Sequence, residues 1–395
     1  MRKELSILHV LRSPVGGLFR HVTDLATAQR EAGHAVGLIC DSVGGDALQE
    51  DRIAALGAQL SLGVARIPMA RSIGPGDLRA TLRVARRIAE VRPDIVHAHG
   101  AKGGVYGRLA AALGRRQEPV AAFYAPHGGS LHYDPGSLEG RVYFTVERAL
   151  ERLTDALIHV SAYEAEAYRE KIGAPRCPAY VVRNGLRPEE FEVVEPSPAA
   201  VDFLFIGELR ELKGVDLFIE ALALLEEEGR SPRALIVGPG TPEHERRYRD
   251  LANAKVRANR VAFRPPMPAR SAFALARAVV LPSRAESMPY IVLEAAASGM
   301  PLIATDVGGI PEIFSGETER LVQPGDPQAL AAAMRAALDE PERLAAEAVL
   351  RRERVKQNFS LAAAAGRIEG IYRDALEARY SSMRAHPVAE ADPSR

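Results

Sequence analysis

Short apolar runs recur along this chain between longer stretches with helical spacing. The first series is Leu5 to Leu11, Val36 to Cys40, Ile95 to His97, Val120 to Tyr124, Ala156 to Val160 and Tyr180 to Val182. Within each run the apolar residues are nearly continuous, where a strand with one wet face would alternate. Such strands are buried on both faces, and with helices between them they predict a parallel sheet in an α/β domain. A second series repeats the pattern at Phe203 to Ile206, Ala234 to Val237, Val261 to Phe263, Val279 to Leu281, Leu302 to Ala304 and Leu321 to Val322. Two Rossmann-like domains are therefore expected, 1–187 and 201–360. Residues 188–200 are acidic, hold three prolines and lack periodicity, and so read as the linker between them. A helix is expected over 361–380 and a disordered polar tail over 381–395. Open parallel sheets bind ligands beyond the carboxyl ends of their strands, so two such domains facing each other would make a central cleft.

At 395 residues the chain has the length of two such domains, and its 47% hydrophobic and 26% charged content is that of a water-soluble globular protein. A net charge of zero argues against nucleic-acid binding, yet residues 51–116 carry twelve Lys/Arg against four Asp/Glu. Arg79, Arg83, Arg86 and Arg87 fall on a helix predicted over Leu78 to Val91, whose apolar residues Leu78, Leu82, Ala85 and Ala89 recur at helical spacing. The arginines then occupy the other surface, either as a solvated face or as a docking face for an anionic membrane. No apolar run approaches the roughly 20 residues of a membrane span, and the N-terminus lacks a signal-peptide pattern. A cytoplasmic protein, soluble or peripheral on the inner membrane face, is expected. The two cysteines, Cys40 and Cys177, form no metal-spaced cluster and read as free thiols.

The chemistry concentrates between Leu281 and Glu312. Glu286 lies in a loop after an apolar strand, Ser287, Met288, Pro289 and Tyr290 lead into a helix with Pro289 in its first turn, and Glu294 falls inside that helix. A helix N-terminus offers free N–H groups and partial positive charge, so a diphosphate can dock there while the carboxylates grip hydroxyls on either side. That geometry suits a nucleotide sugar.

The Glu286-x7-Glu294 spacing, followed by Gly308-Gly309-Ile310-Pro311-Glu312, resembles the signature of glycosyltransferase family 4, retaining enzymes of the GT-B fold, and the resemblance extends over about residues 5–375. It implies a nucleoside diphosphate sugar as donor, a saccharide or lipid-linked saccharide as acceptor, no cofactor, and a place in surface-polysaccharide assembly. It places Gly16 and Gly17 beside the donor diphosphate and His127 beside the transferred sugar. His99 and Lys102, with the Gly103-Gly104 pair, fall on the acceptor side. Lys213 matches a phosphate-binding lysine. Glu208 stands where the family has a second phosphate-binding arginine, so Arg210, two residues on, is expected to take that part. Glu286 contacts the sugar, Ser287, Met288 and Tyr290 form the helix start, and Glu294 holds the ribose. The last helix is expected to cross back to the N-terminal domain. No protein nucleophile is implied, and no Asp-x-Asp occurs that would point to a metal.

Three rivals remain open on the same residues. A glycosidase also uses paired carboxylates, but retaining hydrolysis needs them about 5 Å apart, whereas eight residues of helix span about 12 Å. A nucleotide-sugar epimerase and a non-catalytic nucleotide-sugar sensor would share the scaffold.

Overall fold

The computed structural model describes residues 4–43, 47–71, 74–114 and 120–385. The chain divides into two compact units, Met1–Arg183 with Leu361–Arg395, and Asn184–Ser360.

The first unit is built on seven parallel strands: β1 (Ser6–Leu11), β2 (Ala35–Asp41), β3 (Val64–Ile67), β4 (Ile95–His99), β5 (Ala121–Ala125), β6 (Ala156–His159) and β7 (Ala179–Val181), in the order β3-β2-β1-β4-β5-β6-β7. Six match predicted runs. β3 was not anticipated, because this edge strand buries only Ile67 and shows no apolar run. One sheet face, with Leu8, Val10, Val96 and Ala122, packs under the helices Gly76–Val91 and Gly100–Gly114. Gly103 and Gly104, expected on the acceptor side, serve this packing: a Cβ on Gly103 would stand 2.8 Å from the Cα of Leu11, and one on Gly104 would enter the Tyr124 ring. The other face, with Ile7, Ile95, Phe123 and Ile158, is covered by Ile368, Ile371 and Tyr372 of the C-terminal helix, Leu361–Ala385.

The second unit carries five parallel strands, β8 (Val201–Ile206), β9 (Ala234–Val237), β10 (Val261–Arg264), β11 (Ala276–Leu281) and β12 (Leu302–Ala304), in the order β10-β9-β8-β11-β12. Its core joins Phe203, Phe205 and Val280 to Phe218, Leu222 and Met334. The strand expected at Leu321 to Val322 reduces to a single bridge between Thr305 and Val322.

Four expectations change. Residues 188–200 are not a free linker: Phe191 is buried, Arg270 donates to the carbonyls of Glu190 and Glu192, and the Ser197 amide donates to Ala274, so the segment belongs to the second unit. The predicted tail is helical through Ala385, while residues 386–395 lie outside the described residues, as do Arg115 and Arg116 of the basic stretch. The first helix begins at Gly16 rather than near Arg20. In helix Gly76–Val91 the buried stripe is Ala80, Thr81, Val84 and Ile88, leaving Leu78 and Leu82 67% and 54% exposed beside Arg79, Arg83 and Arg86. The packed face is set by Val84 and Ile88 with the smaller Ala80 and Thr81, not by the leucines. Among the described residues no helix is long and apolar enough to cross a membrane.

Candidate active site

In the second unit the motif residues converge on one carboxylate. Glu286 Oε1 accepts from Lys213 Nζ at 2.5 Å and from Ser283 Oγ at 2.8 Å, leaving Oε2 without a partner among the described residues. Lys213 ends a short turn that follows β8, and the segment after β11 is fastened to that turn. The Arg284 amide donates to the Leu212 carbonyl at 2.8 Å, and its guanidinium spans both oxygens of Asp216 at 2.9 and 2.6 Å. Burial would raise the Asp216 pKa, but the Arg284 bonds outweigh it and hold the carboxyl below its usual range. Neither Ser283, Arg284 nor Asp216 was singled out from the sequence. Ser283 and Arg284 follow β11 directly, which is the one signal that could have found them, and Asp216 lies in the first turn of the helix Val215–Glu227.

The glycines of the Gly-Gly-x-Pro-Glu loop have a steric cause. Gly308 has φ +60°, and a side chain there would run into the Glu286 carbonyl, while the Gly309 amide donates to the Ser287 carbonyl at 2.8 Å. Asn184 Nδ2 donates to the Met288 carbonyl at 2.9 Å, so this side chain supports the same loop. Pro289 caps the helix instead of opening it; Tyr290 is its first residue and Glu294 lies one turn further, half-buried. Arg210 pairs with Glu208 at 3.1 Å, both side chains about half exposed. A surface pair of that kind contributes about 0–1 kcal/mol and is easily exchanged for a stronger anion.

In the first unit a cavity of about 230 Å³ is lined by His99, Lys102 and His127, with Arg12, Arg71, Tyr133 and Tyr143. Gly16 and Gly17 are exposed at the start of the first helix. Lys102 does not present a free charge, since both Asp77 oxygens accept from it at 2.6 and 2.7 Å. Arg12 and Arg71, which the sequence did not single out, have no ion-pair partner among the described residues and supply the cavity's open positive charge. His127 follows β5 with φ +52°, a left-handed backbone that is uncommon outside glycine and turns the chain sharply at the cavity wall.

Behind that wall lies a feature that the sequence did not reveal. His99 belongs to the cavity wall yet is 1% exposed, its ring bonded between His127 and His9. With His21 and His97 these rings form a cluster. Burial, then the neighbouring imidazoles, holds His97 and His99 well below the ordinary histidine pKa, burial and His21 do the same to His127, and burial brings His9 down to about 4. Two triads, His9–His97–His99 and His21–His99–His127, bring three nitrogens within 4.8 Å of one another, metal-like spacing. Both His99 nitrogens are already bonded to other rings, so a cation there would have to displace a shared proton.

Residues 15–190 match the family model Glycosyltransferase Family 4, and residues 200–340 match the model Glycosyl transferases group 1. Two parallel-sheet domains carrying these matches define a glycosyltransferase of the GT-B type. Among curated relatives, a glycogen synthase of Mycobacterium tuberculosis is 29% identical over 95% of each chain. A D-inositol 3-phosphate glycosyltransferase of Streptomyces avermitilis is 28% identical over 74% of this chain and 68% of its own. Among solved structures, Anabaena Alr3699/HepE in complex with UDP superposes with a TM-score of 0.76 at 19% identity, covering 94% of this chain and all of that one.

Proposed function

We propose that the protein transfers a hexosyl unit, with retention of anomeric configuration, from a nucleoside diphosphate sugar to a hydroxyl of a saccharide acceptor. The observation that carries the reading is Glu286, whose Oε1 is fixed by Lys213 and Ser283 while Oε2 remains open to a hydroxyl donor. Lys213 has three N–H donors and spends one on Glu286, so it can bridge that carboxylate to the donor diphosphate. Breaking the glycosidic bond makes an oxocarbenium-like sugar and a diphosphate, and positive charge held on the phosphates stabilises that transition state. Arg210, released from Glu208, and the amides at the Tyr290 helix start add to it, and Glu294 holds the ribose. His127 contacts the transferred sugar. The protein uses no metal, and the leaving phosphate takes the acceptor proton.

The HepE complexes with UDP and UDP-glucose make UDP-glucose the first donor to try. The acceptor reading is a saccharide of surface-polysaccharide assembly, lipid-linked and met at the inner membrane face. Arg79, Arg83 and Arg86 support the membrane contact, because they share an exposed helix surface with Leu78 and Leu82.

The test has two stages. A panel of nucleoside diphosphate sugars is screened for protection against heat unfolding, where a ligand at a hundred times its Kd adds about 2.7 kcal/mol. The protecting donor is then incubated with saccharide acceptors and the products are resolved by NMR. A new glycosidic bond with the donor's anomeric configuration supports the reading; free sugar, an epimerised donor, or binding without turnover each sinks it in favour of a named rival.

A further inference from the structure

The histidine cluster is ordered as well as crowded. Gln29 lies on the first helix, His9 in the middle of β1, His99 at the end of β4, and His127 at the cavity. Gln29 Oε1 meets His9 Nε2 at 2.8 Å, His9 Nδ1 meets His99 Nε2 at 3.0 Å, and His99 Nδ1 meets His127 Nε2 at 3.0 Å. The amide of Gln29 is oriented from behind, its Nε2 donating to the Tyr372 hydroxyl at 3.5 Å, while that hydroxyl sits 2.6 Å from His97 Nδ1.

Each link fixes the next. A carbonyl oxygen can only accept, so His9 carries its proton on Nε2. A neutral imidazole has one donor and one acceptor, so His9 Nδ1 is bare and must receive the Nε2 proton of His99. His99 Nδ1 is then bare and receives the Nε2 proton of His127. What remains is His127 Nδ1, bare and without a partner among the described residues, on a ring that lines the cavity. The scheme requires every ring to be neutral, and their burial enforces this at ordinary pH. A charge on His9 or His99 would force the rings beyond it into the opposite tautomer, so the ordered chain holds only while those rings stay neutral.

We infer that Gln29, His9 and His99 are positioning residues that set the tautomer of His127, so that its ring meets a sugar hydroxyl as a hydrogen-bond acceptor. The catalytic consequence rests on the reading proposed above; the tautomer itself does not. His9, Gln29 and His99 touch no substrate on this account. Each transmits a proton position across the interior of the first unit to one nitrogen at the cavity.

The experiment is long-range 15N–1H correlation of the histidine rings in the full chain at pH 7.5, with His127 assigned by its loss in His127→Asn. Bare and protonated ring nitrogens resonate in well-separated ranges, so the tautomer is read directly. The expected spectrum shows His127 protonated at Nε2 and bare at Nδ1. In Gln29→Met the lock is lost and both tautomers appear, whereas Gln29→Glu, whose carboxylate only accepts, keeps the wild-type form. Transfer follows the tautomer: kcat falls about five-fold in Gln29→Met, the loss of one neutral hydrogen bond, and is retained in Gln29→Glu. A wild-type His127 protonated at Nδ1 overturns the inference, as does a Gln29→Met spectrum that still shows the single Nε2–H form. Should Gln29→Met fail to fold, the wild-type spectrum decides alone. A protein that transfers no sugar but shows the expected spectrum would sink the proposed function and leave the relay standing.

Discussion

The two units solve the same architectural problem with different interiors. In Asn184–Ser360 the sheet is apolar throughout its core and the charged chemistry sits on the turns after β8 and β11, where Lys213, Glu286, Arg284 and Asp216 bind one another. In the first unit polar groups run through the sheet itself, from Tyr372 and Gln29 past His9 and His99 to His127. Every described histidine except His244 belongs to that unit. A site built on turns can be changed residue by residue without disturbing the core. A site supported through the core ties its function to the unit's stability.

The largest expected effect of that difference is acid sensitivity confined to the first unit. Burial lowers the pKa of His9 from 6.5 to about 4 and those of His97, His99 and His127 in the same direction. As pH falls below about 6.5 the unfolded chain takes up these protons first. The stability contribution is therefore full above that pH and is lost as pH drops toward 4, costing about 3 kcal/mol through His9 alone. Carboxylates with lowered pKa, such as Asp77 in the first unit and Asp216 in the second, act only below their unfolded values near 4 and do not confuse the window. Segment-resolved hydrogen exchange at pH 7.5 and 5, corrected for intrinsic rates, should show protection lost in residues 4–183 and kept in 184–360. Equal losses in both units would erase the contrast.

Lys213→Ala tests the other side. Removing one charge-assisted contact costs about 1.5–3 kcal/mol, so transfer at subsaturating donor should fall roughly 10- to 150-fold while the thermal midpoint of the first unit stays put. Wild-type turnover in that variant would remove Lys213 from the phosphate site. A smaller effect is expected on the exposed helix face: Arg83→Ser should weaken partitioning onto anionic vesicles at low salt about five-fold, and salt should close the gap. Arg87 is a poorer choice, because it already donates to the Leu62 carbonyl and pairs with Glu90. Unchanged partitioning would leave a solvated face and a soluble acceptor. The smallest effect belongs to Arg210→Ala, about two- to five-fold in transfer, because its exposed pairing with Glu208 competes with any phosphate.

The fold was legible because buried parallel strands leave short apolar runs separated by stretches of helical spacing, and eleven of the twelve predicted runs became strands. The Lys213 and Glu286 positions could be read because turn chemistry is local: a strand end, a proline and a glycine pair mark the place. The histidine relay could not. His9 sits inside the run Leu5 to Leu11, and nothing in that run says which of its neighbours in space are polar. Gln29 and Tyr372 are 343 positions apart and meet only because the chain returns. In helix Gly76–Val91 the packed face was hidden for a different reason, since Leu78 and Leu82 stand out in the sequence while Ala80, Thr81, Val84 and Ile88 make the contact.

The return of the C-terminal helix also sets an order of events during synthesis. Ile7, Ile95 and Phe123 form a sheet face whose cover, Ile368, Ile371 and Tyr372, is encoded after the whole second unit. At about 5–20 residues per second the ribosome needs roughly ten to thirty-five seconds to travel from residue 184 to 360. For that interval the first unit has its strands but not its last wall, while the second unit is still being made. A nascent chain stalled before Leu361 should therefore bind a hydrophobic dye or a holdase at that face, and one released past Ala385 should not.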